Sequence, residues 1–438
     1  MPETRRQQVL DCLRQFESPN VTYLPPDSQW PIVWNRARGM EVWDVEGNAF
    51  MDFTAAFGVA AAGHAAPAVV RAGRAQMGCL LHAMGDVHPH PLKGELARRL
   101  SDLTFGRWTE SGVKTHGKVV FCNSGFESVE VALKTACQAT GRDRVLGFSG
   151  AYHGLGYGAL VATHRSHFRG RFGQQLAHFA DWVDFPEAED ALGRVRSCVE
   201  ERLMRGGYGA ILVEPVQGRG GIRVPPPGFL SLLRELCDAH GTLLIVDEVF
   251  TGFGRTGKWF ACEHERVVPD LICLGKALTG GFPLSAMVGE AALMDRAWPK
   301  SSGEAIHTST YLGHPVGCAM ALAQLEILER RRLVERSRRM GEYFLSSLQE
   351  STLGDQPGVS LRGRGLMIGI EFRDHQCQPD SRLSLQLVED LLEQGYIVLP
   401  DGDQGQVMGL TPPLIVSKSQ ISSFVCVLEE LYQRAVDS

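Results

Sequence analysis

Asp247 ends the apolar run Thr242–Val246, and Lys276 follows the run Asp270–Leu274 after a single glycine. A buried strand that ends in a charged side chain presents it at the carboxyl edge of its sheet, where open α/β sheets bind ligands. A carboxylate and a primary amine delivered there by neighbouring strands suit pyridoxal phosphate (PLP). The lysine would hold the cofactor as a Schiff base, and the acid would pair with its pyridinium nitrogen. Such a lysine needs a depressed pKa, which desolvation or a cationic neighbour supplies. Taken alone, a lysine at a strand end is usually a solvated surface group.

Other segments reach the same edge. Asn123-Ser124-Gly125-Phe126-Glu127 follows the run Lys118–Cys122 and opens a helical pattern. A Ser-Gly turn at a helix start presents backbone N–H groups and the positive dipole end, which suit a phosphate or serve as a plain helix cap. Ala151-Tyr152-His153-Gly154 offers an aromatic that can stack on a flat heterocycle or simply pack; His153 reads as structural. Glu214-Pro215-Val216-Gln217-Gly218 adds a second carboxylate, or only a strand-ending turn. Gly252–Gly257 matches GxGxxG, the fingerprint of an NAD-type oxidoreductase, but no helix-opening pattern follows it. His88-Pro89-His90-Pro91 has no second cluster at ligand spacing, so it reads as a loop and no metal is expected.

The elements that must position these residues alternate. Helical periods such as Ser128–Thr140 and Gly228–His240 separate short β-rich runs, including Arg144–Phe148 and Ala210–Val213. Crossover units of this kind predict an α/β fold, a mostly parallel sheet with flanking helices. The large domain is expected over residues 65–325. A smaller α+β domain is expected from 326–438, joined by the segment 1–64 with its hairpin Glu41–Asp44 and Ala49–Phe53. One long helix is expected from Pro315 to Leu353. It is followed by strands Leu366–Phe372 and Tyr396–Leu399 around a helix Ser384–Gln394, and by a final helix Lys418–Ala435.

Composition narrows the class. The 438 residues are 44% apolar and 21% charged with a net charge of −6, an ordinary globular balance without a basic stripe for nucleic acid. The Arg330–Arg339 run is interleaved with acids and reads as a solvated helix face. Eleven cysteines without CxxC spacing fit a reducing compartment. No apolar h-region follows the N-terminal arginines, and no stretch is long enough to span a membrane. The expected location is the cytoplasm.

Taken together and in order, the segments WDVEG (43–47), NSGFESVEVALK (123–134), AYHG (151–154), EPVQG (214–218), DEVFTGFGRTG (247–257), GKALTGG (275–281), HTSTYLGHPVGCAMA (307–321), RGRGLMIGIEF (362–372) and LTPPL (410–414) resemble the class III (ω-) aminotransferases of PLP fold type I. The resemblance implies that Lys276 is the PLP lysine and proton shuttle, and that Asp247 partners the pyridine nitrogen. It implies that Gly125 and Phe126 bind the phosphate, with Thr310 reaching it from the other subunit of a homodimer. Tyr152 and Val249 would press on the two ring faces, and Glu214 would sit near the ring. Arg362 would grip a substrate carboxylate. In this family the GFGRTG glycines make a turn.

Three departures concern the substrate. Many relatives follow EPVQG with a glutamate that neutralises the carboxylate-binding arginine. Arg219 stands here and cannot neutralise Arg362, so that charge gate is expected to be absent. Either the two arginines accept acidic groups together, or Arg219 points outward to a local acid. Phe250 replaces a glutamine near the cofactor's 3′-oxygen. Phe57, in the stretch lining the entrance, hints at an apolar substrate part. The expected reaction moves an amino group from an amine or ω-amino acid to a keto acid such as pyruvate or 2-oxoglutarate. Aminomutases, racemases or epimerases and a decarboxylating aminotransferase share the scaffold and stay open.

Overall fold

In the computed structural model, which describes residues 4–24, 30–108 and 116–437, the five apolar runs become strands of one seven-stranded sheet. In spatial order these are Gly117–Cys122, Ser285–Glu290, Leu271–Leu274, Leu243–Asp247, Tyr208–Val213, Arg144–Phe148 and Ala180–Val183. All point the same way except Ser285–Glu290, antiparallel to both neighbours. That strand and Ala180–Val183 lack a continuous apolar run, because Ser285 and Gly289 interrupt one and Asp181 interrupts the short other.

The period of two along each strand sends successive side chains to opposite faces. Ile211, Val213, Leu244, Val246, Ile272 and Leu274 enter one core cluster. Ala210, Leu212, Leu243, Ile245, Leu271 and Cys273 enter another. Helices Ala191–Met204 and Phe229–His240 cover the first face, and Gly125–Thr140 covers the second. Burial on both faces is why these runs are continuously apolar. Each fully buried Leu, Ile or Val contributes about 1.5–3 kcal/mol.

Two smaller sheets flank this layer. Trp34–Arg38, Glu41–Asp44 and Ala49–Asp52 are antiparallel, and Tyr396–Ile397 joins Ala49–Asp52 in parallel. Val359–Gly363, Ile368–Phe372, Val407–Leu410 and Leu399–Asp401 form an antiparallel sheet. The expected single strand Tyr396–Leu399 therefore divides between two sheets around Val398. Within the segment 1–64, residues 1–3 and 25–29 lie outside the described residues.

The long helix expected from Pro315 to Leu353 is two helices, Pro315–Arg330 and Leu333–Gln349. Arg332 between them takes a left-handed φ of +52°, without the glycine or proline that normally marks a break. The first helix packs along Pro67–Cys79 and the second along Lys418–Asp437, so the chain turns to reach different partners.

The GxGxxG segment is a turn. Gly254 and Gly257 have φ of +95° and +86°, and no helix opens behind them. Arg255 between them is buried, and its Nη1 donates to the carbonyls of Leu366 at 2.9 Å and Pro412 at 2.6 Å. Burial lowers its pKa to about 9. The glycines wrap the chain around an arginine that ties three segments together, which removes the dinucleotide reading. Arg255→Met leaves those carbonyls without their donor, and a loss of about 3 kcal/mol in urea-unfolding stability is expected; no change would show that the clamp is dispensable.

Candidate active site

Asp247 is the last residue of its strand and pairs in register with Cys273, three residues before Lys276. The two side chains thus come from adjacent parallel strands. One Asp247 oxygen accepts the Val249 N–H at 3.1 Å, and the other lies 2.8 Å from His153 Nδ1. The ring nitrogen is assigned as the donor because its partner is a carboxylate. His153 is buried, its backbone N–H donates to Thr163 Oγ1 at 2.9 Å, and that hydroxyl donates to the Gly154 carbonyl at 3.0 Å. His153, expected to be structural, thus touches the acid of the site. This contact arises across two strand spacings in the sheet, which no local spacing reports. His153→Ala removes one buried hydrogen bond to a charged group, about 1.5 kcal/mol, so turnover should fall about tenfold. An unchanged kcat would deny His153 a positioning role.

Lys276 sits at a left-handed φ of +40°, directly after Gly275. Burial pulls its pKa down; Asp247, Glu214 and Asp401 oppose that, and the Arg219 charge reinforces it. Both influences expected for an amine of this kind are therefore in place. Its Nζ lies 3.9 Å from the centroid of the Phe250 ring. The ring fits there because Gly58 and Gly218 lack side chains: a Cβ on either would overlap it. A phenyl ring over an ammonium contributes about 0.5–2 kcal/mol, and only while the amine is charged.

Helix Gly125–Thr140, 16 residues long, points its N-terminus into the same space. Ser124 at the cap makes no capping bond through its side chain, and its buried Oγ has no partner. A helix start without a side-chain cap, next to an orphaned hydroxyl, suits a phosphate. A Cβ on Gly125 would lie 2.8 Å from Val249 Cγ1, which explains the glycine. Buried Glu214 accepts the Tyr152 N–H at 3.0 Å and the Gly218 N–H at 3.1 Å, bracing two loops. Burial raises its pKa. The donor set fits PLP: N–H groups for the phosphate, an acid for the pyridine nitrogen, an amine for the carbonyl. Lys276, Asp247, Gly125 and Phe126 line one cavity of about 350 Å³. Tyr152, Val249, Glu214, Arg219 and Phe250 also line it.

Two expected residues are not there. Arg362 is spent elsewhere: its Nε donates to the Ile222 carbonyl at 2.9 Å, its Nη2 to Gly221 at 2.6 Å, and its Nη1 to Glu371 at 2.6 Å. It does not line the cavity, so the expected grip on a substrate carboxylate is corrected. Phe57 is 59% exposed and lines a separate apolar pocket with Trp30, Trp34 and Leu399. It follows Ala55 and Ala56, and all three have φ near +50° to +60°, a strained left turn that swings the ring away. Thr310, expected at the other subunit's phosphate and not at its own, is exposed on the surface outside this cavity.

Arg219 does line the cavity, yet it also faces an acid: its Nη1 is 3.5 Å from Asp401 Oδ1. Each expectation holds part of this: Arg219 faces the cavity and also an acid, but that acid comes from the distant strand Leu399–Asp401. Among the described residues no group of three or more His, Cys, Asp or Glu could hold a metal, and no helix is long and apolar enough to cross a membrane.

The family model of class-III aminotransferases matches residues 23–431. An acetylornithine aminotransferase of Methanosarcina acetivorans is 37% identical over 400 residues, covering 91% of each chain. A 5-aminovalerate aminotransferase of Pseudomonas aeruginosa is 34% identical, covering 92% of this chain and 93% of its own. A solved ornithine aminotransferase of Toxoplasma gondii, with PLP at partial occupancy in its active site, superposes with a TM-score of 0.84 at 29% identity. That match covers 100% of this chain and 96% of the other.

Proposed function

The chain belongs to the class III aminotransferases, and from that premise we propose that it carries an amino group from the terminal amine of a short ω-amino acid to a keto acid, with Arg219 receiving the substrate carboxylate. The family's transamination and its PLP dependence are the frame for this reading. The observation that carries it is the meeting of Lys276, Asp247 and the start of helix Gly125–Thr140 at one sheet edge. Bound there, PLP supplies an electron sink for the carbon that loses its proton. The protein's own part is positional and protonic. Gly125 and Phe126 hold the phosphate, Asp247 keeps a negative charge against the pyridine nitrogen, and Tyr152 and Val249 confine the ring. Lys276 Nζ takes the proton from the substrate carbon and returns it on the other side of the transfer.

The relatives named for acetylornithine, ornithine and 5-aminovalerate have in common a primary amine at the end of a short chain that bears a carboxylate. Arg219 is the cavity's exposed guanidinium and suits that carboxylate. The test is a screen of these donors and of a carboxylate-free amine against pyruvate and 2-oxoglutarate. Loss of the visible absorbance of the lysine-bound cofactor reports the first half-reaction. Carboxylate-bearing donors should react faster, and turnover should require a keto acid. Product formed without one would mark an isomerase and overturn the reading.

A homodimer is part of the proposal. Thr310 is exposed, two residues after Thr308, whose hydroxyl donates to Asp86 at 2.6 Å, and the two segments so joined carry the exposed Met84, Val87, Ile306 and Tyr311, which suit a second copy. Thr310 would then serve the partner's phosphate site. Thr310→Ala should weaken PLP retention about tenfold on dialysis, the scale of one charge-assisted hydrogen bond. Unchanged retention would remove Thr310 from the site. The eleven cysteines, none disulfide-bonded, support a cytoplasmic setting.

A further inference from the structure

Asp401 is a carboxylate with an incomplete set of partners. It ends the strand Leu399–Asp401, and its carboxylate lies over Gly409 of the adjacent strand, where any Cβ would collide with it. Its side chain is 11% exposed, and Oδ1 makes no hydrogen bond. Arg219 Nη1 at 3.5 Å is within ion-pair reach but lacks hydrogen-bond geometry. The backbone is nevertheless pinned in place, because the Gly402 N–H donates to the Arg219 carbonyl at 3.2 Å.

The charged groups that act on Asp401 are Arg219, Lys276 and Arg165. Arg165 is already engaged with Asp403, through Nε at 3.2 Å and through Nη2 to its carbonyl at 3.0 Å. Lys276 is committed to the cofactor. Arg219 is therefore the cation that Asp401 depends on, and the same guanidinium is 38% exposed on the cavity wall. An arginine held loosely by an acid on one side and open to substrate on the other can exchange one carboxylate for another.

Resting on the transaminase reading above, we propose that Asp401 is a specificity-determining residue which holds Arg219 while no carboxylate is bound and, when a substrate carboxylate takes the arginine, accepts one proton from solvent. The proton balances the charge: the entering carboxylate brings one negative charge, and neutralising Asp401 removes one. Burial has already raised the Asp401 pKa to about 7, so losing the Arg219 contact leaves its carboxyl protonated near neutrality. A carboxylate-free amine leaves the Arg219–Asp401 pair closed and draws no proton.

The test is calorimetric and needs no turnover. Glutarate, an unreactive dicarboxylate, is titrated into the PLP-loaded enzyme at about pH 8 in two amine buffers of different ionisation enthalpy. The difference in heat should correspond to uptake of about one proton, and glutarate affinity should fall about tenfold per pH unit above the Asp401 pKa. Asp401→Asn should abolish the uptake and flatten the pH profile, with tighter binding at alkaline pH because nothing competes for Arg219. Arg219→Gln should lose most glutarate affinity. Glutarate binding to the wild type without proton uptake, an unchanged pH slope in Asp401→Asn, or no binding at all would overturn the assignment. The wild-type measurement stands even if a variant fails to fold. Loss of proton uptake with intact transamination sinks only the role of Asp401; a failed donor screen sinks the reading beneath it.

Discussion

Replacing Lys276 by alanine should abolish transamination, with turnover at least about 10⁴-fold below wild type. Two losses coincide at one atom. Nζ is the amine that anchors the cofactor carbonyl and the base that carries the proton, and among the described residues no other lysine lines the cavity. Its surroundings are arranged for both tasks. Burial and Arg219 lower its pKa, so the free amine is accessible, while Asp247, Glu214 and Asp401 keep the shift in check. The direction fixes the pH dependence. An amine with a lowered pKa loses its proton at a lower pH than an exposed lysine does. The rate limb that depends on free Nζ should therefore begin below the usual lysine range of about 10.4. The visible absorbance of the lysine-bound cofactor should vanish in Lys276→Ala. Persistence of that band, or turnover within tenfold of wild type, would mean that another amine does the work.

How much of this was legible in the sequence divides along a physical line. The central strands were readable because burial on both faces makes them continuous apolar runs, and Asp247 and Lys276 because charge interrupts such a run abruptly. The helix start at Gly125 was readable because Ser-Gly stands directly after a strand. What escaped depends on contacts between distant segments. The break at Arg332 has no local signal, since two packing partners impose it. Asp401 and Arg219 are far apart in the chain, and only the strand Leu399–Asp401 brings them together. Arg362 illustrates the reverse error. Motif resemblance pointed it at the substrate, yet Gly221, Ile222 and Glu371 claim its guanidinium. A motif preserves residue type and spacing, but it does not say which neighbours have already taken a side chain's hydrogen bonds.

Asp247→Asn should lower turnover by about 10²–10³-fold while leaving the fold and PLP binding largely intact. The substitution keeps the size and one oxygen, so Val249 N–H can retain its acceptor. What it removes is the negative charge at the sheet edge. Asp247 holds that charge in a setting where water cannot replace it: the residue is 6% exposed, and His153 Nδ1 fills its second oxygen at 2.8 Å. The charge matters only if it keeps the cofactor's ring nitrogen protonated, which is what makes the ring accept electrons. The asparagine enzyme should therefore still show the absorbance of lysine-bound cofactor yet release the substrate proton slowly, with a large isotope effect on the deuterated donor. His153→Ala should give a milder version of the same defect, because it loosens Asp247 without discharging it. In the double variant the two losses should not add, since the histidine acts through the acid. Full additivity would separate His153 from Asp247. Near-normal turnover in Asp247→Asn would show that the acid at this sheet edge is structural.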